Sequence, residues 1–188
     1  MLKVSDLDPG LRQTLDWAVT AGSVLLCALI LPIRLPGMEL LGVGPNWLLI
    51  WVIAWSLKRT VFQGAIAGVC LGLIQDGLTM ATPTHTLGLA IAGMLTARLQ
   101  KQKYIQEDFI SVAMIAFGMA VVVETVTAIQ FTLQYFLSGS PKFYPLLTQT
   151  WLYHQQVALS SAILSSLWAP VLYYPLNRWW ESLDAVES

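Results

Sequence analysis

The sequence is poor in charged residues, which excludes the composition of an ordinary soluble domain. Lys, Arg, Asp and Glu make up 11% of the 188 residues, whereas soluble domains carry about 25%. Hydrophobic residues make up 56%, and apolar runs follow one another from residue 15 to residue 176 without a long polar segment. This distribution predicts a single polytopic membrane domain over residues 1–188.

Residues that build catalytic and metal centres are also scarce. The chain has two His and two Cys, and it lacks a CxxC pair, a paired-histidine helix, a phosphate-binding glycine loop and a nucleophile elbow. Cys27 and Cys70 lie in separate apolar runs, which is typical of small buried hydrophobic residues. We therefore expect no enzyme activity, no cofactor and no metal.

Hydropathy predicts an all-α integral membrane protein with six transmembrane helices. The spans are 15–33, 44–57, 61–80, 84–99, 109–137 and 157–176. The second and fourth are shorter than the ~20 residues that cross a bilayer perpendicularly. Six crossings from a cytoplasmic N-terminus leave only Arg34 and Lys142 of the 10 basic residues outside, eight against two. Without the second crossing, the best orientation gives seven against three, so six crossings with both termini in the cytoplasm are favoured.

The predicted cytoplasmic side has no excess of basic charge. Its eight acidic residues balance its eight basic ones. A polybasic surface for nucleic acid or for anionic lipid is therefore not supported.

Small residues recur every four positions on two neighbouring spans. On the third span these are Gly64, Gly68 and Gly72, and on the fourth they begin with Gly88 and Ala92. This spacing stacks bare backbone on one helix face and allows a second helix to approach closely. Because the connection between these spans is short, we expect them to be antiparallel neighbours that pack through these small residues.

Two carboxylates, Asp76 and Glu124, lie within apolar spans, where lipid would reject them. Each is about 22 Å from the inner end of its span at ~1.5 Å per residue, so they could share one polar site. The other candidate residues of that site are Gln75, His85, Thr127 and Gln130. The acids could join helices by hydrogen bonds, line a ligand pocket, or carry protons or ions. A functional cavity would then lie between the third, fourth and fifth spans.

Three further segments could form surfaces. Ala18 and Gly22 on the first span could face a partner helix or lipid. Tryptophans at four-residue spacing on the second span indicate a packing or lipid-facing stripe. The segment 138–156 is predicted to be the longest external loop, suited either to a partner or to the membrane interface. His85 is interpreted as a hydrogen-bonding residue at a helix end rather than as a ligand.

The run from Gly64 to Leu89, GAIAGVCLGLIQDGLTMATPTHTLGL, resembles the corresponding segment of the bacterial rod shape-determining protein MreD family. There a glycine-spaced helix leads through Gly-Leu-x-x-Asp to a short turn and the next helix. The matching residues are Gly64, Gly68, Gly72, Leu73, Asp76, Pro83 and Gly88.

The resemblance implies a non-catalytic scaffold of the cell-elongation machinery in the bacterial plasma (inner) membrane, acting in cell shape and peptidoglycan synthesis. It implies MreC as a partner, alongside MreB, RodA and a transpeptidase of the class B penicillin-binding proteins. It also implies a fold similar to the substrate-binding subunits of energy-coupling-factor vitamin transporters. The alternative function is therefore a vitamin-binding subunit, with Asp76 and Glu124 lining an outward-opening pocket.

Overall fold

The computed structural model describes residues 8–33, 37–80, 82–100, 108–139 and 143–187, and this part of the chain folds into six α-helices. They are α1 (Pro9–Ile30), α2 (Trp47–Ser56), α3 (Val61–Thr79), α4 (Thr86–Gln100), α5 (Phe109–Leu137) and α6 (Phe143–Glu187). Four of them, α1, α3, α5 and α6, are long and apolar enough to cross a membrane, whereas α2 and α4 are shorter. The all-α membrane fold is thus confirmed, and the count of six crossings stays a prediction.

The prediction of a long external loop over 138–156 is wrong, because α6 begins at Phe143. Its first turns contain Thr and Gln, which lower the hydropathy but do not oppose helix formation. Helix α6 packs against α5, which has 29 residues. The aromatic rings of Phe109 and Tyr174 stack 6.5 Å apart near the start of α5, so the two helices form one long hairpin. Beyond Tyr174, α6 continues past the start of α5.

Helix α2 lies at the centre of the fold and contacts each of the other five helices. Its residues are apolar all round, and the run from Leu48 to Ala54 is buried. A helix that is apolar all round lies either in a protein core or in a membrane, and here the other five helices enclose it. At its start, Asn46 Oδ1 accepts a hydrogen bond from Leu49 N at 3.0 Å, and Asn46 N donates to Ser165 Oγ of α6 at 3.1 Å.

The tryptophan stripe of α2 packs against neighbouring helices. Trp47 lies 5.6 Å from Trp168 of α6, and Trp51 stacks on Trp55 at 6.1 Å. The indole Nε1 of the buried Trp51 donates to Ser23 Oγ of α1 at 2.8 Å. These contacts join α1 and α6 to the central helix.

Helices α3 and α4 pack through their glycines. A Cβ at Gly68 would overlap the carbonyl oxygen of Leu89, and one at Gly64 would lie 2.5 Å from the carbonyl oxygen of Gly93. Gly72 likewise lies against the backbone of Thr86. The two backbones are therefore in direct contact along the whole pair, with no space for a side chain between them.

The α4 residues in this contact differ from the expected ones. Leu89 and Gly93 face α3, whereas a Cβ at Gly88 would lie 3.0 Å from Val123 of α5. The expectation that Gly88 meets the α3 glycines is therefore wrong. Ala92 is buried. Since both faces of α4 carry small residues, spacing alone does not determine which one meets α3.

Consecutive helices run in opposite directions, so the start of the first helix lies beside the end of the last helix. Arg12 Nη2 of α1 lies 3.5 Å from the carbonyl oxygen of Leu183, and Lys58 Nζ forms an ion pair with Glu181 Oε1 at 2.8 Å. The start of α1, the end of α2 and the end of α6 thus lie at the same end of the molecule.

We predict that Gly68→Ala destabilises the protein by about 1–3 kcal/mol, the usual cost of overpacking, because the added methyl group overlaps the α4 backbone. Gly77→Ala is the matched control, since a Cβ there meets nothing within 4 Å. It should leave stability unchanged or raise it slightly, because alanine is the better helix former. Thermal unfolding in detergent, followed by size-exclusion chromatography, measures both. Equal melting temperatures for the two variants would contradict the packing described here.

Candidate functional site

Asp76 caps the start of α4 from the end of α3. Its Oδ1 accepts a hydrogen bond from His85 N at 2.7 Å and lies 3.0 Å from His85 Nδ1. Its Oδ2 accepts from Thr86 Oγ1 at 2.7 Å and from Thr86 N at 3.4 Å. The two oxygens of the carboxylate therefore bind the first residue of α4 and the residue just before it.

The local sequence explains how this cap forms. Helix α3 ends at Thr79, and the left-handed backbone of the next residue, Met80 (φ 49°), turns the chain back on itself. The short connection brings His85 and Thr86 beside the preceding helix. The first N–H groups of a helix lack partners within it and favour negative charge. Asp76 satisfies them, so its hydrogen bonds join α3 to α4.

The other polar candidates near this turn have different surroundings. Gln130 Nε2 of α5 donates to the carbonyl oxygen of Thr84 at 3.1 Å, which ties α5 to the α3–α4 connection. Thr127 Oγ1 donates to Val123 O of its own helix at 3.0 Å. Gln75 is buried, and none of the described residues forms a hydrogen bond with its Oε1.

Glu124 forms a second carboxylate–histidine pair, with His154 of α6. His154 Nδ1 lies 3.1 Å from Glu124 Oε2, and the two side chains are only 9% and 14% exposed, respectively. The imidazole also packs against the rings of Phe131 and Tyr153, each 5.4 Å away. The pair links α5 to α6 within an apolar surrounding.

His154 was not among the residues selected from the sequence, because segment 138–156 was expected to be a loop. The sequence does contain a signal that could have found it. If the turn between the last two helices is centred near residue 140, Glu124 and His154 lie at nearly equal distances from it. An antiparallel hairpin places such residues side by side.

The two acids thus have different partners, and the hydrogen bonds of the described residues do not join them. Asp76 binds His85 and Thr86, whereas Glu124 binds His154. Their placement in one shared polar site stays a prediction. Within the described ranges, no group of three His, Cys, Asp or Glu side chains could hold a metal ion. The arrangement joins helices through two carboxylate–histidine pairs.

A large cleft lies elsewhere, between α1, α2 and α3. Its volume is about 860 Å³, and it is bounded at one end by Trp180 and Leu183 of α6. A smaller cavity of about 210 Å³ lies between the end of α1 and the start of α2. The six residues predicted to form a polar site or pocket line neither cavity. Cys70 is exposed at the larger cleft, so the expectation that both cysteines are buried holds only for Cys27.

The sequence model of the family described as rod shape-determining protein MreD matches residues 11–177. The match begins in α1, ends in α6 and includes all of α2 to α5. It confirms the resemblance found in the run from Gly64 to Leu89. No curated protein matches the chain.

We predict that Asp76→Asn destabilises the α3–α4 turn by about 1–3 kcal/mol, because the amide NH₂ would face an N–H donor of α4. Thr86→Val should cost less, since it removes only the hydroxyl donor and keeps the shape. Hydrogen exchange over residues 82–92 should accelerate more in Asp76→Asn than in Thr86→Val. Faster exchange in Thr86→Val than in Asp76→Asn would show that the carboxylate is not the main cap of α4.

We predict strong coupling between Glu124 and His154. Glu124→Leu and His154→Phe should each destabilise the protein, because each leaves one buried polar group without its partner. The double variant should be less destabilised than the sum of the single variants, by about 0.5–3 kcal/mol. Thermal unfolding of the four proteins gives this coupling energy, and simple additivity would show that the pair does not interact.

Proposed function

Because the chain belongs to the MreD family of rod shape-determining proteins, we propose that it is a non-catalytic membrane scaffold of the bacterial cell-elongation complex. Its direct partner in this proposal is MreC, and its role is in the regulation of peptidoglycan synthesis, alongside MreB, RodA and a class B penicillin-binding protein. The family match over residues 11–177 is the observation that carries this conclusion.

The buried polar side chains support a structural rather than a chemical role. The carboxylates of Asp76 and Glu124 hold helix ends and helix pairs together. The vitamin-binding alternative would need these groups to face a ligand. Since their hydrogen bonds are made to His85, Thr86 and His154, that alternative gains no support from the geometry.

The proposed topology has six passes through the plasma membrane, with both termini in the cytoplasm. The alternating directions of the helices and the shared end of Arg12, Lys58 and Glu181 support it. The distribution of the basic residues, eight on that side against two on the other, gives the orientation. Helix α2, with 10 residues, then crosses only part of the bilayer inside a ring of protein. The proposed fold is that of the substrate-binding subunits of energy-coupling-factor transporters.

We place the docking face for the membrane helix of MreC on the outward side of α1. Helix α1 is the least enclosed of the four long helices. Around Gly22 the surface is exposed, and a Cβ at this position would meet nothing within 4 Å. Leu25 and Leu29 flank it, 61% and 59% exposed. An apolar face with a glycine at its centre allows a partner helix to approach closely.

We predict that Gly22→Leu weakens co-purification of MreC at least severalfold without lowering the melting temperature, because the new side chain separates the two helices. Gly118→Leu is the matched control, since Gly118 of α5 is also exposed and a Cβ there would meet nothing within 4 Å. It should bind MreC like the unmodified protein. Glycines of α3 are unsuitable for this test because they lie inside the α3–α4 contact.

Two results would count against this assignment. Unchanged co-purification of Gly22→Leu would exclude the α1 face as the docking site. Failure of the unmodified protein to bind MreC at all, in membranes where both are produced, would refute the proposed partnership itself.

A further inference from the structure

The cleft between α1, α2 and α3 divides into a polar end and an apolar body. Near the shared ends of α1, α2 and α6, its lining includes the two arginines Arg12 and Arg59, with Asp16 and Gln63. Further along, the lining is apolar on both sides, as with Val24 of α1 and Ile66, Leu71 and Ile74 of α3. A molecule that matches this lining must be an amphiphile with a polar head and an apolar tail.

The cleft is accessible from the side. Trp17 on α1 and Ile66 on α3 border it and are 68% and 46% exposed. On α3, the lining from Gln63 to Ile74 extends about 16 Å at ~1.5 Å per residue. A membrane lipid could therefore enter between α1 and α3 without the helices separating.

Trp180 and Asp16, at the polar end, each have a buried polar atom that finds no hydrogen-bond partner among the described residues. In Trp180, which is only 6% exposed, this atom is the indole Nε1, and in Asp16 it is Oδ1. The first is a donor and the second is an acceptor. A buried polar atom without a partner costs about 1–3 kcal/mol, so an occupant that supplies both an acceptor and a donor here would be stabilised.

We propose that this cleft binds one anionic phospholipid whose headgroup carries hydroxyl groups, such as phosphatidylglycerol. The phosphate oxygens accept hydrogen bonds from the arginine side chains and from the Trp180 indole. A headgroup hydroxyl donates to Asp16 Oδ1. One acyl chain lies along the apolar body between α1 and α3, and the volume of about 860 Å³ lies within the range of ligand pockets.

The chemistry of the cleft favours a lipid over a transmembrane helix. Trp51 and Trp55 stack at its inner wall, and Arg59 lies 5.4 Å from the ring of Trp55. Bulky rings keep a helix backbone at a distance, whereas a flexible acyl chain follows them. The predicted cytoplasmic side has balanced charge, which excludes a diffuse polybasic surface. A single lipid site, however, needs only the two arginines that line the cleft.

The test uses the full chain purified in detergent and probed with lipids of identical acyl chains. Native mass spectrometry and thermal shift compare phosphatidylglycerol, phosphatidylcholine and phosphatidic acid, with inorganic phosphate as a headgroup-only probe. The unmodified protein should retain one phosphatidylglycerol, with an affinity about tenfold above that for phosphatidylcholine. Phosphatidic acid, which lacks the hydroxyl groups, should bind more weakly, and inorganic phosphate should not stabilise the protein.

Three variants locate the site. Ala67→Trp should abolish retention because it fills the cleft, Arg59→Gln should reduce the preference for phosphatidylglycerol about tenfold, and Trp180→Phe should weaken binding while preserving shape. Arg98→Gln is the control, because Arg98 is exposed on α4 and does not line the cleft. If Ala67→Trp does not fold, the other two variants still decide the matter.

Several outcomes would overturn the proposal. Equal retention of phosphatidylglycerol and phosphatidylcholine would identify ordinary surrounding lipid. Retention unaffected by Arg59→Gln and Trp180→Phe would place any bound lipid elsewhere. Loss of a co-purifying single-span protein in Ala67→Trp, with lipid retention unchanged, would show that the cleft is a helix-binding surface instead.

Discussion

The fold depends on the enclosure of one short helix. Helix α2 has 10 residues, and at ~1.5 Å per residue it is about 15 Å long, half the ~30 Å of a hydrocarbon core. Its first backbone groups must therefore be satisfied by protein, because lipid offers no hydrogen bonds. Asn46 meets this need twice, as the cap of Leu49 and as a donor to Ser165 of α6. The other five helices surround it and pack against its apolar side chains.

The glycine contact of α3 with α4 also contributes to the enclosure of α2. A Cβ at Gly93 would lie 3.0 Å from Val52 of α2, so the hairpin presses its small residues against the central helix as well as together. Close backbones and a short connection then place the α4 start within reach of Asp76. The hydrogen bonds of the half-buried Asp76 carboxylate thus depend on how tightly the hairpin closes.

Hydropathy predicted the bounds of α3 and α5 well. The bounds of α5 agree at both ends with the expected span 109–137, and Thr60 with Gln63 forms a capping box at the start of α3. Hydropathy failed for α6, whose first turns are polar yet helical because α5 lies beside them. The partner of Glu124 was missed for that reason alone.

The cleft could not be predicted, because it depends on how far α1 stands from α3, and no pattern within either helix encodes that distance. Asp76 and His85 are both candidate site residues in the sequence, because a carboxylate in an apolar span needs polar partners. Which hydrogen bonds form there depends on the αL turn at Met80. Thr86 and His154, which bind the two carboxylates, are not among the residues predicted from the sequence.

Helix α1 has two separate faces, which keeps the two proposals independent. At 100° per residue, Ala18 and Gly22 lie on one side of the helix, and Asp16 and Thr20 lie on nearly the opposite side. The first side is exposed, whereas the second lines the cleft. A side chain added at Gly22 therefore cannot reach a lipid in the cleft, and a side chain that fills the cleft from α3 cannot reach a helix docked on the outward face. Any coupling between lipid and partner would have to pass through α1 itself, which is held to α2 by the bond from Trp51 to Ser23.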